Sequence, residues 1–292
     1  MTLYLGAPIW GLKLWVGNFF PAKAKQRDFL SLYSRRLNSV EGNTTFYSLP
    51  NAETVARWRD ETPPDFRFCL KFPKTISHER RLRNAEAETE QFLICLRGLG
   101  TRAGPSFLQL PPSFNGDSLQ SLVSYLDTLP RDFQYAVEVR HPDFFGGPAE
   151  PALDEALRQR NAARVVFDTR GLRRADPDEV GESAEATRQA QERKPDVPVR
   201  FTRTASFALI RFVGHPEISA NADLLAEWAD HVARWLAAGD DVYFFCHVPQ
   251  DRDAPLLARE FHALVNARHP LPSLPGWGPE HGGNKLEQGS LF

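Results

Sequence analysis

From Leu3 to Val265 the chain reads as short apolar runs separated by longer stretches with three-to-four-residue apolar spacing. A parallel sheet clad in helices is the simplest architecture that accommodates such an alternation. Eight runs, rich in β-branched and aromatic residues and bounded by Gly, Pro or Asp, are predicted strands: Leu3–Trp10, Ser39–Phe46, Arg67–Pro73, Ser106–Leu110, Tyr135–His141, Ala163–Asp168, Phe207–Gly214 and Asp241–Val248. Helical stripes lie between them, for example Leu224, Leu225, Trp228, Val232 and Trp235. Asn51 is a predicted N-cap, with Glu53 in the first turn and Val55 and Trp58 facing inward.

Eight repeats suit closure into a single-domain α/β (β/α)₈ TIM barrel, with an open doubly wound sheet as the alternative that periodicity does not exclude. Barrels of this kind reach 292 residues as one unit, so the chain is expected to hold a single core over residues 1–268. Two segments break the pattern. Residues 170–203 are polar and densely charged, and are expected to form a mobile excursion over one end. After Arg268 the composition turns rich in Pro and Gly, and 269–292 is expected to be a flexible tail.

The N-terminus lacks a basic segment before an apolar stretch, and no apolar run approaches the ~18 residues of a membrane helix. A cytoplasmic location without membrane contact is expected. Cys69, Cys95 and Cys246 are odd in number and set in apolar segments, which suits reduced packing residues rather than disulfides. Cys246 and His247 are adjacent on one strand, hence on opposite faces, and form no thiolate–imidazole pair. The formal net charge of −2 argues against a globally basic nucleic-acid binder. Dinucleotide, phosphate-loop and Gly-x-Ser-x-Gly signatures are absent.

The chemistry gathers at the strand ends. Charge in a parallel strand covered on both faces is costly unless it emerges at the C-terminal end, where barrel sites are built. Strand two carries Glu41, Asn43 and Thr44; strand three Lys71; strand four Gln109; strand five Glu138, Arg140 and His141; strand six Asp168; strand seven Arg211 and His215; strand eight His247. Glu41 and Glu138 are the acid/base candidates, and Lys71, Arg140 and Arg211 could hold an anionic substrate. The competing reading is a structural ion-pair network of Glu41, Lys71, Glu138 and Arg140 that plugs the interior. His141, Asp168, His215, His247 and Glu138 could also bind a divalent metal, although no local ligand spacing supports it. Lys74, His78, Arg80, Arg81 and Arg83 form a basic rim that could attract phosphate, or could be a solvated helix start.

Four ordered motifs, Val40-Glu-Gly-Asn-Thr-Thr-Phe-Tyr-Ser-Leu-Pro50, Phe68-Cys-Leu-Lys-Phe-Pro73 with Ile76-Ser-His-Glu-Arg80, Phe107-Leu-Gln-Leu-Pro-Pro-Ser-Phe114 and Ala136-Val-Glu-Val-Arg-His-Pro142, resemble the domain of unknown function 72 family, also called YecE-like. The resemblance runs from about Tyr4 to Leu264. It implies a TIM-barrel fold and no particular reaction, and its motif positions fall on the strand-end group, including His78, Glu79 and Arg80. The chain departs from the family pattern at Gly42 and around His215 and His247.

The last five residues, Gln288-Gly-Ser-Leu-Phe292, resemble the bacterial sliding-clamp-binding peptide. Leu291 and Phe292 would enter an apolar groove while Gln288 sets register. The leading expectation is a barrel enzyme acting on a phosphate-bearing or nucleic-acid-derived substrate, by hydrolase or lyase chemistry, with a tail that could link it to DNA replication or repair. The alternatives are a metabolic enzyme for a small polar, sugar-like substrate and a non-catalytic ligand-binding barrel.

Overall fold

The computed structural model describes residues 1–277. Nine strand segments are formed: β1 Leu3–Gly6, β2 Ser39–Gly42, β3 Arg67–Leu70, β4 Ser106–Gln109, β5 Tyr135–Glu138, β6 Ala163–Arg164, β7 Val166–Asp168, β8 Phe207–Val213 and β9 Asp241–His247. Among the described residues the α-helices are α1 Phe29–Ser34, α2 Ala52–Asp60, α3 Glu86–Leu99, α4 Leu119–Thr128, α5 Ala149–Arg158, α6 Arg170–Arg174, α7 Ala184–Arg193, α8 Ala222–Ala237 and α9 Ala254–Asn266. The sixth predicted strand is interrupted at Val165, whose N–H bonds the Val137 carbonyl at 2.9 Å.

All pairing is parallel, in three ladders with the orders β1-β9-β8-β7, β6-β5-β4 and β3-β2. The order is that of a barrel, yet no single ladder closes. Individual main-chain bonds join the seams: Glu41 N–H to the Ala7 carbonyl at 3.1 Å between the first two strands, and Phe72 N–H to the Phe107 carbonyl at 3.0 Å between the third and fourth. At the first seam the backbones approach closely, since a Cβ on Gly6 would stand 2.3 Å from the Ser39 carbonyl oxygen.

Strand alternation separates two buried layers. Leu3, Leu5, Val40, Phe68, Leu70, Leu108, Val166, Ile210 and Phe244 belong to the main core, shared with the helices. Tyr4, Cys69, Phe107, Ala136, Val165, Leu209 and Phe245 form a second cluster between the strands. Two residues further along five of the strands, that inner face becomes polar: Lys71 follows Cys69, Gln109 follows Phe107, Glu138 follows Ala136, Arg211 follows Leu209 and His247 follows Phe245.

The Asn51 side chain accepts the Thr54 N–H at 2.8 Å, and Val55 and Trp58 are buried, as the capping pattern predicts. Both segments that break the strand–helix pattern make apolar contacts among the described residues. The 170–203 excursion contains α6 and α7, and Leu172 and Ala190 pack with Phe167 and Val213 in a third apolar cluster. Gln191 Nε2 ties the pair together by donating to the carbonyls of Leu172 at 3.0 Å and Ala175 at 2.9 Å. A few small apolar residues thus secure a segment whose average polarity suggested a flap. Of the region after Arg268, residues 269–277 are described, and Trp277 is buried there, edge-on to Phe19 at 5.2 Å, with the Arg259 guanidinium 5.5 Å from its ring centre. Among the described residues no helix is long and apolar enough to cross a membrane.

Candidate active site at the strand ends

Arg211, near the end of β8, is the hub of the polar layer. Its Nε and Nη2 donate to Glu41 Oε2 and Oε1 at 2.8 and 2.7 Å, and its Nη1 donates to Glu138 Oε2 at 2.5 Å. The flat guanidinium lies between rings, 5.2 Å from the centre of Phe107 and 5.0 Å from that of Phe167. A planar fork suits this role because it bonds two carboxylates edgewise while its faces contact aromatic rings. Glu41 Oε2 also accepts His247 Nε2 at 3.0 Å, and Oε1 accepts Asn43 Nδ2 at 2.6 Å. Arg140 Nε donates to Glu138 Oε1 at 2.8 Å. Each oxygen of both buried carboxylates therefore has a charged or hydrogen-bonding partner.

Lys71 differs. Its Nζ donates to Gln109 Oε1 at 2.9 Å, an acceptor shared with Arg140 Nη2 at 2.7 Å, and lies 3.8 Å from the Phe46 ring centre. It forms no ion pair among the described residues, although only 8% of it is exposed. Burial first, and then the Arg211 guanidinium, pushes its ammonium down to about 7. Burial also lowers His78 to about 4, with Lys71 and Arg140 adding repulsion. The carboxylates move the other way on balance. Burial favours their neutral forms, but Arg211 and His247 hold Glu41 well below the usual carboxylate range, and Arg211 and Arg140 bring Glu138 down to about 2. Both are ionised at neutral pH, so neither is a ready proton donor.

The structure brings the predicted strand-end residues Glu41, Asn43, Lys71, Gln109, Glu138, Arg140, Arg211 and His247 into one bonded group, and the other members fall away for identifiable reasons. Asp168 belongs to the opposite face of its strand from Phe167: it accepts Trp228 Nε1 at 2.7 Å and Arg170 Nη2 at 2.8 Å, outside the group. Thr44 is exposed and opens a 3₁₀ turn, whereas Thr45 is buried and donates to the carbonyls of Gly42 at 3.0 Å and Lys71 at 2.7 Å. Arg80 pairs with Glu88 at 2.7 Å. His78 is half-buried, 5.1 Å from Phe46, and its Nδ1 is 2.8 Å from Ser77 Oγ. His141 Nδ1 accepts Asp143 N–H at 3.2 Å, and His215 Nδ1 accepts Glu217 N–H at 3.0 Å, so both shape turns.

The metal expectation does not match this placement, because Asp168 and His215 are bonded elsewhere. Among the described residues no three His, Cys, Asp or Glu side chains are grouped to hold an ion. Sequence reasoning overlooked Phe46 and Phe167, whose rings flank the cations, and Lys194 on the excursion, 5.8 Å from the Phe167 ring centre. The even spacing of Val165 and Phe167 was an available signal that Phe167 faces inward with Arg211. Gln288, Leu291 and Phe292 lie outside the described residues.

Fold and site together define a parallel α/β protein of barrel strand order, with an arginine-centred polar layer where its strands end. The family profile described as "Protein of unknown function DUF72" matches residues 4–279, and the chain belongs to that family. It is 41% identical over 274 residues to the UPF0759 protein YecE of Escherichia coli K12, covering 93% of this chain and 95% of that protein. The UPF0759 protein YunF of Bacillus subtilis is 26% identical over 155 residues, 50% of this chain and 53% of that one. Among solved structures, a DUF72 family protein of Thermotoga maritima superposes with a TM-score of 0.68 at 22% identity, covering 91% of this chain and all of that one. One from Enterococcus faecalis gives 0.67 at 19% identity, covering 91% and 96%. These structures support the fold.

Proposed function

We propose that the protein is an enzyme whose substrate carries a phosphate or similar anionic group, bound where the strands end. A surplus of positive charge carries this reading. Arg211 and Arg140 occupy Glu41 and Glu138, while Lys71 and Lys194 form no direct ion pair among the described residues, Asp251 acting on Lys194 only through space, and Arg140 Nη1 has no protein acceptor there. Burial lowers the Lys194 ammonium as well, with Arg211 adding repulsion. An incoming anion would offset that repulsion and accept the unused N–H groups. Glu41 and Glu138 then serve to fix Arg211 and Arg140 rather than to exchange protons themselves.

The rim favours a small anion over a nucleic-acid backbone. Lys74 pairs with Glu79 and Arg80 with Glu88, while Arg81 and Arg83 donate to Ser113 and Ser121. Thermal unfolding with inorganic phosphate, and separately with a short single-stranded oligonucleotide, tests both ideas. Phosphate should raise Tm by mass action, an effect lost in Arg140→Met. Absence of any shift with phosphate would sink the anion site, and a shift with the oligonucleotide alone would restore the nucleic-acid reading. A link to DNA replication or repair rests on Gln288, Leu291 and Phe292 alone. Calorimetric titration with a bacterial sliding clamp, with Leu291→Ala/Phe292→Ala as control, decides it, and an absence of heat would remove the proposed tether.

A further inference from the structure

We infer that Lys71 is a nucleophilic amine that condenses with an aldehyde or ketone carbon of the anionic substrate to form an imine. The inference rests on the anion-binding reading above and assigns the site its covalent step.

The geometry leaves Lys71 without a counter-ion. Glu41 faces it from β2, but its oxygens are taken by Arg211, His247 and Asn43. Glu138 faces it from β5 and is taken by Arg211 and Arg140. Gln109 offers one neutral oxygen, itself shared with Arg140, and Phe46 and His78 complete the surroundings. An ammonium there is buried and repelled by Arg211 and Arg140, while Glu138 and Glu41, already committed to guanidiniums, offset that repulsion only in part, and its direct contacts are an amide oxygen and a ring face. The neutral amine is relieved of all of this, and its lone pair is the nucleophile. The lowering to about 7 follows from the same surroundings. In the step, the nitrogen attacks the carbonyl carbon and the C=O π pair moves to oxygen. Two proton transfers then release that oxygen as water as C=N forms, so no oxidant, reductant or other co-reactant is needed.

The seven lysines, at 13, 23, 25, 71, 74, 194 and 285, make the test clean. The full chain is incubated at pH 7 with glycolaldehyde phosphate, imines are trapped with sodium borohydride, and peptides are quantified by mass spectrometry. Lys71 should be labelled at least about tenfold faster than the exposed Lys13, Lys23, Lys25 and Lys74, because an ordinary ammonium near 10.4 is almost wholly protonated at pH 7. That advantage should shrink at pH 10, and neutral glycolaldehyde should react with Lys71 more slowly than its phosphate ester. Labelling of Lys71 no faster than the exposed lysines at pH 7 overturns the imine. If phosphate still raises Tm in that case, the anion site survives without it. Fast labelling equal for the neutral and phosphorylated aldehydes leaves the nucleophile standing and removes the anion reading instead.

Discussion

Arg211 holds Glu41 through two parallel hydrogen bonds, Nε to Oε2 at 2.8 Å and Nη2 to Oε1 at 2.7 Å, between residues 170 positions apart in the chain. With the third bond, to Glu138, this one guanidinium links β2, β5 and β8, which belong to three separate ladders. Removing one carboxylate leaves a buried cation short of its partner. Glu41→Gln or Glu138→Gln should each lower unfolding free energy by about 3–5 kcal/mol in denaturant titrations. Adding Arg211→Met to Glu41→Gln should recover much of the loss, since the stranded guanidinium is then gone and Glu138 keeps Arg140. Additive losses in that double variant would refute the coupling.

Acid should act through the same pair. Glu138 lies at about 2 in the folded chain against ~4.3 when unfolded. A lowered carboxylate contributes stability that is complete above its unfolded value and is lost as pH falls through the folded one. Unfolding free energy should therefore drop between about pH 5 and pH 2, by on the order of 3 kcal/mol from this group. The Glu138→Gln variant should show a shallower slope over that window, and an unchanged slope would place the acid sensitivity elsewhere.

Lys71 should have the opposite signature. Between its folded value of about 7 and the unfolded ~10.4, the unfolded chain binds a proton that the folded one lacks, so stability rises with pH. Below pH 7 the penalty is complete. Lys71→Met should stabilise the protein most at pH 6, by up to about 4 kcal/mol, and progressively less towards pH 10. Parallel profiles for the two proteins would show that Lys71 does not titrate in that range.

Two glycines make a paired test of backbone approach. A Cβ on Gly6 would strike the Ser39 carbonyl at 2.3 Å, and main chain does not move aside without opening the first seam. A Cβ on Gly42 would meet Leu70 Cδ2 at 2.4 Å, the far end of a side chain that can rotate. Gly6→Ala should cost about 3 kcal/mol and Gly42→Ala about 1 kcal/mol or less, measured by thermal melts. The reverse order would contradict the seam geometry.

Much of the site was legible because a strand sends alternate residues to one face. Glu41, Lys71, Gln109, Glu138 and Arg211 each lie two residues beyond an inward residue or pair in register with one, and the starting residue of every predicted strand matches the structure. The strand ends were less legible. The predicted run Ser39–Phe46 continued into Thr44–Phe46, which forms a 3₁₀ turn once pairing stops, and the run Tyr135–His141 extended past Glu138, where the paired strand ends. Asp168 was assigned to the site from its position at a strand end, while parity with Phe167 places it on the helix side, bonded to Trp228.

The amino-acid order by itself determined the alternating elements and the charged inner face near the strand ends, because periodicity and the cost of burying charge are local properties of the chain. Only the tertiary structure decided which charges neutralise one another. Arg211 reaches carboxylates from two other ladders, both acids are thereby used up, and Lys71 is left buried beside a shared amide oxygen. Pairing of that kind depends on distances of a few ångströms between residues far apart in sequence, and Coulomb and desolvation energies change by kilocalories over such distances.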